Sequence, residues 1–265
     1  MTDKRKALFF DIDGTILSEK TNTIPESTKR AIRIAREEGC LTFINTGRTR
    51  ACVPSSVKEV GFDGILCGCG TEIVYHGTSL MHEGMSKEFC IQVARAVKEA
   101  NVAATLEGEV FYFVVPDRPV FDSIRDGGVL NNGEMTLIFD WEPEETFFDK
   151  LVFWVDEESR GDIIFDLVRD KMDVIERGNG FYELVPKGFS KAKAIQTVQE
   201  MFHIDLEDTY VFGDSSNDLP MFEYSPNAIA MGEHDPVLDP YTSYVTDTVE
   251  NDGIEKAMKA LKLIP

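Results

Sequence analysis

Short apolar runs alternate with amphipathic stretches through the first third of the chain. Between the runs, proline and capping signals at residues 23–28 begin a helix that extends to about residue 39, and a second helical stretch spans residues 49–60. Buried strands are predicted at residues 7–10, 41–45 and 64–67. Strands and helices that alternate at this pace predict a parallel sheet with helices on both faces.

The pattern changes near Gly84, where strand-like runs cluster and the helices separate from them. Amphipathic spacing predicts helices at residues 85–100 and 160–171. The stretch at residues 127–133 is predicted to be the loosest loop of this region. Strand-like runs occur at residues 103–106, 110–115, 136–141, 151–155 and 181–185. Clustered strands with segregated helices indicate an α+β insert of about a hundred residues, large enough to be a domain in its own right.

The alternation of strands and helices returns after Ser190. The predicted elements are helices at residues 191–202, 219–224 and 251–263 and strands at residues 210–214, 228–231 and 244–246. Because both outer segments contribute to one sheet, the middle is an insertion and not an appended domain. The predicted fold is α/β, a Rossmann-like doubly wound parallel-sheet core formed by residues 1–83 and 188–265, with an inserted α+β domain at residues 84–187.

Acidic residues cluster at two of the predicted strand ends. Ala7-Leu-Phe-Phe-Asp-Ile-Asp-Gly-Thr15 places Asp11 and Asp13 directly after the first strand, and Tyr210-Val-Phe-Gly-Asp-Ser-Ser-Asn-Asp218 supplies further carboxylates after a later one. Side chains at i and i+2 share a face of an extended strand, and open α/β sheets bind ligands at the carboxyl ends of their strands. Adjacent carboxylates repel each other, which implies a bound cation, a shared proton or a nearby base. Taken alone, the first cluster also fits an ordinary turn after a core strand.

The acidic composition narrows the possible partners. The 265 residues include 47 acids and 27 bases, for a formal charge of -20, while the hydrophobic content of 43% is ordinary for a globular protein with a substantial core. Such a charge repels nucleic acid and anionic membranes, so neither is an expected partner. A phosphorylated substrate would also be repelled at long range. Its attraction would therefore have to come from a local cation and from lysine.

Neither export nor metal binding by cysteine and histidine is indicated. Only four apolar residues follow the charged start, which is too short for a signal peptide, and no run reaches the length of a membrane span. The five cysteines are odd in number and form no Cys-x-x-Cys pair, and the four histidines are scattered. We therefore expect a cytoplasmic protein with reduced thiols.

Four motifs resemble those of the haloacid dehalogenase-like (HAD) phosphatases. Asp11-Ile-Asp-Gly-Thr15 matches the first motif of that family and Gly213-Asp-Ser-Ser-Asn-Asp218 the fourth. Thr46, within Ile44-Asn-Thr-Gly-Arg48, matches the second, and Lys191, at the end of Gly188-Phe-Ser-Lys191, matches the third. Their order, with a long insert between the second and third, is similar to that of the Cof-type subgroup (type IIB, C2-capped). The resemblance covers essentially the whole chain and implies that the insert is a cap domain over the active site.

The resemblance implies a Mg²⁺-dependent phosphatase that works through an aspartyl-phosphate intermediate. Asp11 is the expected nucleophile, and Asp13 is expected to protonate the leaving alcohol and then to deprotonate water. Asp11, Asp13 (through its backbone carbonyl) and Asp214 are the expected metal ligands, because Mg²⁺ prefers oxygen. Unit charges about 4 Å apart interact by about 4 kcal/mol at an effective dielectric of about 20, so Lys191 alone cannot offset the converging carboxylates.

The resemblance also implies which residues contact the phosphate. Lys191 and Asp218 complete the expected catalytic set, with Asp218 orienting Lys191 or a metal-bound water. An ordinary solvent-exposed lysine is the alternative for Lys191, but Ser190 is a candidate helix cap and a helix start attracts anions. Arg48 is either structural or a substrate contact. The phosphate-binding positions that the resemblance implies are Ile12, Thr46, Gly47, Lys191 and Asn217.

One position departs from the family pattern. Relatives often carry Asn-Gly-Ala after the third strand, where this chain has Cys69-Gly-Thr71, and the change alters the wall of the pocket. The expected substrate is a small phosphorylated metabolite of the sugar phosphate, pyridoxal phosphate or flavin mononucleotide (FMN) class. Acidic residues of the insert are expected to form a solvated face: Glu107, Glu109, Glu142, Glu144 and Glu145.

Two other functions stay open. A phosphomutase or phosphotransferase would use the same nucleophile, although the roughly thirty residues between Asp13 and Thr46 are too few for a helical cap plus a crossover helix. A non-catalytic phospholigand-binding protein on this scaffold would be marked by loss of Asp11 or Asp13, and neither is lost. Dehalogenases of the superfamily need no acid at the Asp13 position, so its presence disfavours that chemistry.

Overall fold

The computed structural model describes residues 5–125 and 136–265, and the predicted loop at residues 127–133 lies outside them. The chain forms two compact units. The core unit comprises Met1–Gly47, Ser55–Met81 and Ser190–Pro265, and the inserted unit comprises Arg48–Pro54 and His82–Phe189. The three-segment domain division made above, with boundaries after residues 83 and 187, stays a prediction.

The described elements follow one another along the chain. The strands are β1 (Ala7–Phe10), β2 (Leu41–Asn45), β3 (Gly64–Cys67), β4 (Glu72–Tyr75), β5 (Thr78–His82), β6 (Ala103–Glu107), β7 (Phe111–Val114), β8 (Leu137–Ile138), β9 (Lys150–Trp154), β10 (Met172–Gly178), β11 (Phe181–Pro186), β12 (Thr209–Gly213), β13 (Asn227–Ala230) and β14 (Tyr244–Val245). The α-helices are α1 (Glu26–Glu37), α2 (Ser55–Lys58), α3 (Lys87–Ala100), α4 (Asp122–Arg125), α5 (Gly161–Val168), α6 (Lys191–Phe202), α7 (Leu219–Tyr224) and α8 (Gly253–Ala260).

The core unit is built on a sheet whose strand order is β14-β13-β12-β1-β2-β3-β4-β5. The strands from β14 to β3 run parallel, and β4 returns antiparallel to β3. All four residues of β1 are buried, as expected for a central strand covered on both faces. Residues of α6 and α7 pack with Phe9 and Phe43 in one apolar cluster. The predicted α/β class with a parallel-sheet core is confirmed.

The inserted unit has a sheet of its own, with strand order β10-β11-β9-β6-β7-β8. Its pairings are antiparallel except for that of β7 with β8. The apolar faces of α3 and α5 bury one side of the sheet, with Phe148, Leu151 and Phe153 fully buried among them. A smaller cluster that includes Phe113 and Phe121 packs separately. Clustered strands with two long helices are what the α+β pattern predicts.

Several local predictions were wrong. The helical stretch predicted at residues 49–60 is instead a short turn of 3-10 helix and α2, because Pro54 interrupts it. The pattern missed β4, β5 and β10, and most residues of β5 and β10 are exposed, so no alternation of apolar residues marks them. Of the strand predicted at residues 136–141, only β8 forms. Within the described residues, no helix combines the length and the apolar character needed to cross a bilayer.

Candidate active site

The chain turns sharply where β1 ends. The amide of Asp11 still donates to the carbonyl of Phe212 at 3.0 Å, and the residue is 4% exposed. Gly14 follows with φ +72°, a conformation that favours glycine. A Cβ atom at Gly14 would also lie 2.3 Å from Oδ2 of Asp214, so this turn requires glycine for space as well. Because the backbone at Gly14 lies directly against the Asp214 side chain, the first acidic cluster lies beside the second.

The second cluster follows β12, the strand beside β1. Thr15 Oγ1 donates to Asp214 Oδ1 at 2.8 Å. Asp218 Oδ2 accepts from the amides of Asp214 and Ser215, at 2.9 and 3.1 Å, and forms a capping box with Ser215. A Cβ atom on Gly213 would lie 2.6 Å from Cγ of Asp218, which explains glycine at the end of this strand. Main-chain donors therefore fix Asp218 in place.

Lys191 reaches this acidic cluster from the first turn of α6. Ser190 caps that helix by accepting from the amide of Lys193. The Lys191 side chain is 1% exposed, and its Nζ donates to Asp11 Oδ1 at 2.6 Å and to Asp218 Oδ1 at 2.5 Å. A third contact runs from Nζ to Asn217 Oδ1 at 3.2 Å. The alternative of a solvent-exposed lysine does not hold.

Burial and crowding shift the titration of these groups. Burial raises the pKa of Asp11 to about 7, with Lys191 opposing the shift and the charges of Asp218 and Asp13 adding to it. Burial likewise raises the pKa of Asp214 to about 8, helped by the charge of Asp11. Burial disfavours the ammonium of Lys191, but Asp11 and Asp218 outweigh it and raise the pKa of Lys191 above its ordinary value. The site holds more negative charge than one ammonium can balance.

The donor set suits a divalent cation. Carboxylate oxygens of Asp11, Asp214 and Asp218 lie within 4.8 Å of one another. Oxygen ligands are what Mg²⁺ prefers, and burial together with repulsion from the neighbouring carboxylates raises the pKa values of Asp11 and Asp214. Asp218 already accepts bonds on both oxygens, so Asp11 and Asp214 are the carboxylates best able to hold a metal ion.

The remaining predicted positions lie at the ends of β1 and β2 or in the loop after β12. Asp13 is partly exposed within the turn after β1, and its backbone forms an isolated parallel β-bridge with Leu17. Ile12 is buried, and its carbonyl accepts the amides of that turn. Thr46 is 1% exposed and Gly47 is partly buried. Asn217 presents Oδ1 to Lys191 and to Ser215 Oγ.

Arg48 and the cysteine loop have local partners. Arg48 falls in the inserted unit, where its Nη1 donates to the carbonyl of Cys52 at 3.1 Å. Cys69 has φ +57°, and its amide donates to the carbonyl of Thr46 at 3.0 Å. The segment Cys69-Gly-Thr71 therefore borders the predicted phosphate-binding threonine. All five cysteines are free thiols.

The sequence analysis did not identify two polar residues of the site. Thr15 is fully buried and bonds Asp214, although it was read only as part of a motif. Asn45 is fully buried at the end of β2, and its Nδ2 donates to the carbonyl of Lys191 at 3.0 Å. Asparagine is depleted in strands, so its place at the end of the run Leu41–Asn45 was a signal that could have been used.

A parallel sheet with clustered aspartates and a buried lysine at its strand ends is typical of α/β hydrolases that transfer phosphoryl groups. A family model for haloacid dehalogenase-like hydrolases matches residues 8–258, and the chain belongs to that family, in its Cof-type subgroup. YkrA of Bacillus subtilis is 31% identical over 98% of this chain and 98% of its own length. The 5-amino-6-(5-phospho-D-ribitylamino)uracil phosphatase YcsE of the same species is 26% identical over 96% of this chain and 94% of its own.

Solved structures give the same picture. The HAD subclass IIB sugar phosphatase BT4131 superimposes with a TM-score of 0.79 at 27% identity, covering 98% of this chain and all (100%) of that one. A hypothetical protein from Geobacillus kaustophilus has a TM-score of 0.84 at 24% identity, and the match covers 98% of this chain and 100% of that one. At this identity the likeness supports the fold only. The predicted enzyme class is confirmed: the protein is a HAD-type phosphatase.

Proposed function

We propose that the protein hydrolyses small phosphate monoesters through a phosphoryl group carried on Asp11, with Mg²⁺ as its metal. The observation that supports this most is the contact of Lys191 Nζ with Asp11 Oδ1 at 2.6 Å, within a group of three clustered carboxylates that one ammonium cannot balance. A buried ammonium beside a carboxylate is suited to neutralising the oxygens of a phosphoryl group that transfers to that carboxylate.

In the first half-reaction an oxygen of Asp11 bonds to phosphorus, and the bond between phosphorus and the leaving oxygen breaks. Asp13 gives its proton to that oxygen, so the product leaves as an alcohol. In the second half-reaction Asp13 takes a proton from water, which attacks the phosphorus and frees Asp11 and inorganic phosphate. The turn at Gly14 keeps Asp13 close enough to Asp11 to raise the pKa of Asp11.

The side chains around Asp11 have supporting tasks. Asp218 holds Lys191 by accepting a hydrogen bond from its Nζ at 2.5 Å, while main-chain amides hold Asp218. We assign phosphate contacts to Ile12, after β1, to Thr46 and Gly47, after β2, and to Asn217. Asp11, Asp13 and Asp214 would hold the metal, and the bound Mg²⁺ would supply positive charge against the phosphoryl oxygens. Thr15 would orient Asp214 for that task.

The proposed substrate is a small phosphorylated metabolite of the sugar phosphate class. Relatives that span nearly the whole chain carry names that point there, namely the sugar phosphatase BT4131 and the phosphoribitylaminouracil phosphatase YcsE. Pyridoxal phosphate and FMN share the phosphate monoester and complete the set to be screened. We place the reaction in the cytoplasm, where the five free cysteines stay reduced.

Substitution of Asp11 tests the proposal. Asp11→Asn keeps the shape of the side chain but not the nucleophile, so turnover of the best phosphate monoester should fall by about 10⁴-fold or more. The matched control is Asp170→Asn, which changes an exposed aspartate of the inserted unit and should leave turnover unchanged. Acid-quenched wild type should carry a phosphoryl group on the peptide that contains Asp11, detected by mass spectrometry. Near-normal turnover by Asp11→Asn would refute the covalent mechanism.

A further inference from the structure

Asn45 is a buried polar residue at the end of an otherwise apolar central strand. Its side chain has no exposed surface. Nδ2 donates to the main-chain carbonyl of Lys191 at 3.0 Å and approaches Met221 Sδ at 3.6 Å. Oδ1 has no hydrogen-bond partner in the described part of the chain. An asparagine in this setting calls for a physical reason, because a buried acceptor without a donor disfavours folding.

The bond to Lys191 has a defined direction. The carbonyl of Lys191 can only accept, so the side-chain amide of Asn45, and not its oxygen, must face it. The contact joins the end of β2 to the first residue of α6, across 146 positions of the chain. It therefore holds the backbone from which the Lys191 side chain extends to Asp11.

The same helical turn is supported on another side. A Cβ atom on Gly70 would lie 2.9 Å from Cβ of Ala194 and 3.2 Å from the carbonyl of Ser190, so the loop after β3 packs tightly against α6. That loop is tied in turn to Thr46, whose carbonyl accepts from the Cys69 amide at 3.0 Å. Asn45 and Thr46, adjacent in sequence, thus connect the phosphate-binding threonine to the helix that carries the lysine.

Stability does not account for asparagine at this position. Leucine has the same branched side-chain shape, suits a buried strand better and would leave no unpartnered Oδ1. We propose that Asn45 is a positioning residue of the phosphatase reaction: its amide fixes the first turn of α6 so that Lys191 Nζ meets Asp11 and the phosphoryl group. The proposal rests on the function proposed above, in which Lys191 stabilises the transferring phosphoryl group.

The test is Asn45→Leu in the full chain, assayed with Mg²⁺ and the phosphate monoester that the wild type turns over fastest. The first turn of α6 keeps its fold but loses one restraint, so kcat should fall by about 10- to 100-fold while KM changes by less than about threefold. The thermal midpoint should stay the same or rise, because the unpartnered oxygen is gone. Amide exchange at residues 191–194 should become faster than in the wild type.

Asn227→Leu is the matched control. Asn227 also uses Nδ2 to bond main-chain carbonyls, those of Glu207 and Thr209, both at 3.0 Å. It is the first residue of β13, three strands away from β2 in the same sheet and at the amino end of its strand, so its replacement should lower stability without lowering kcat. A structural role for Asn45 would give this control pattern in both variants.

The outcomes separate the two proposals. An active wild type with unchanged kcat in Asn45→Leu overturns the role of Asn45 and leaves the proposed function intact. A wild type that hydrolyses no phosphate monoester overturns the proposed function. In that case exchange at residues 191–194 still decides whether the Asn45 amide restrains the helix, and unchanged exchange overturns the inference.

Discussion

Two clusters of charged side chains, one in each unit, differ in how their charges balance. In the core unit, carboxylates of Asp11, Asp214 and Asp218 come within 4.8 Å of one another. Lys191 is the one ammonium group that the described contacts place against them. Lys191 contacts two of these three carboxylates, and Asp214 accepts a hydrogen bond from the hydroxyl of Thr15.

The cluster of the inserted unit lies on neighbouring strands. Lys150 faces Glu107 in the register of β6 and β9, and its Nζ lies 3.9 Å from Glu107 and 2.5 Å from Glu183. Arg177 donates to Glu183 through Nε and Nη2, at 2.9 and 2.6 Å. Among these four side chains, two carboxylates meet two cations. The pairing is even, and both cations contact Glu183.

The pKa values of the carboxyl groups differ between the two clusters. Burial works against ionised Glu183, but Lys150 and Arg177 outweigh it and hold the pKa of Glu183 below its ordinary value. In the core unit burial prevails, and it raises the pKa of Asp214 to about 8. Glu107, farther from Lys150, also has a raised pKa because burial exceeds the attraction. A carboxylate that contacts two cations, such as Glu183, is suited to a structural role, whereas a set of carboxylates with too few cations is suited to binding a metal ion.

Removing the lysine of each cluster should give the largest contrast. Lys191→Met strips Asp11 and Asp218 of their ammonium, so unfolding free energy at neutral pH should fall by about 3–5 kcal/mol and turnover by about 10³-fold. Lys150→Met leaves Glu183 paired with Arg177, so its cost should be only about 1–3 kcal/mol. Urea denaturation in the presence of chelator measures both. Equal losses of stability would contradict the distinction between the clusters.

Magnesium should act on the core cluster alone. At about 100 times its dissociation constant, a ligand of the folded state adds about 2.7 kcal/mol, or roughly 5–10 °C in Tm for a chain of this size. The wild type and Glu183→Gln should both show this rise when Mg²⁺ replaces chelator, and Asp214→Ala should not. Differential scanning calorimetry measures it, and a full rise in Asp214→Ala would remove Asp214 from the metal site.

Neutralising one acid of each cluster should change stability in opposite directions. The raised pKa of Asp214 means that its contribution is present at acid pH and is lost as pH rises through about 8. In chelator, Asp214→Asn should therefore exceed the wild type in Tm by about 2–4 °C near pH 8 and by less near pH 5. Glu183 has a lowered pKa and contributes above its ordinary range, so Glu183→Gln should be less stable at neutral pH. A change of Tm in the same direction for both variants would contradict the distinction between the two clusters.

Sequence reasoning reached the core site because its signals are local. The apolar run before Asp11 and the run before Asp214 are short buried strands, and parallel strands place their carboxyl ends at one edge of a sheet. Lys191 was placed by the helix cap at Ser190 and by the family motif. The alternation of strands and helices likewise predicted the fold class.

What the sequence could not supply depends on partners distant in the chain. The prediction of a solvated acidic face holds for Glu109, Glu142, Glu144 and Glu145, which are exposed, and it was wrong for Glu107. Glu107 is largely buried because Lys150 lies directly opposite on β9, a register that local pattern does not reveal. The hydrogen bond from Asn45 to Lys191 also joins residues far apart in the chain, so the local sequence pattern does not predict it.

The bond between Lys191 and Asp11 spans 180 positions of the chain, and β1 pairs with β12 from the far end of the sequence. During synthesis, β1 therefore leaves the ribosome long before its neighbour exists, with four apolar residues and one hydrogen-bonding edge still uncovered. Chains interrupted before residue 209 would lack both the covering strand and Asp214. We expect such fragments to engage chaperones or aggregate, and catalytic competence to begin only after β12 and Asp214 have been synthesised.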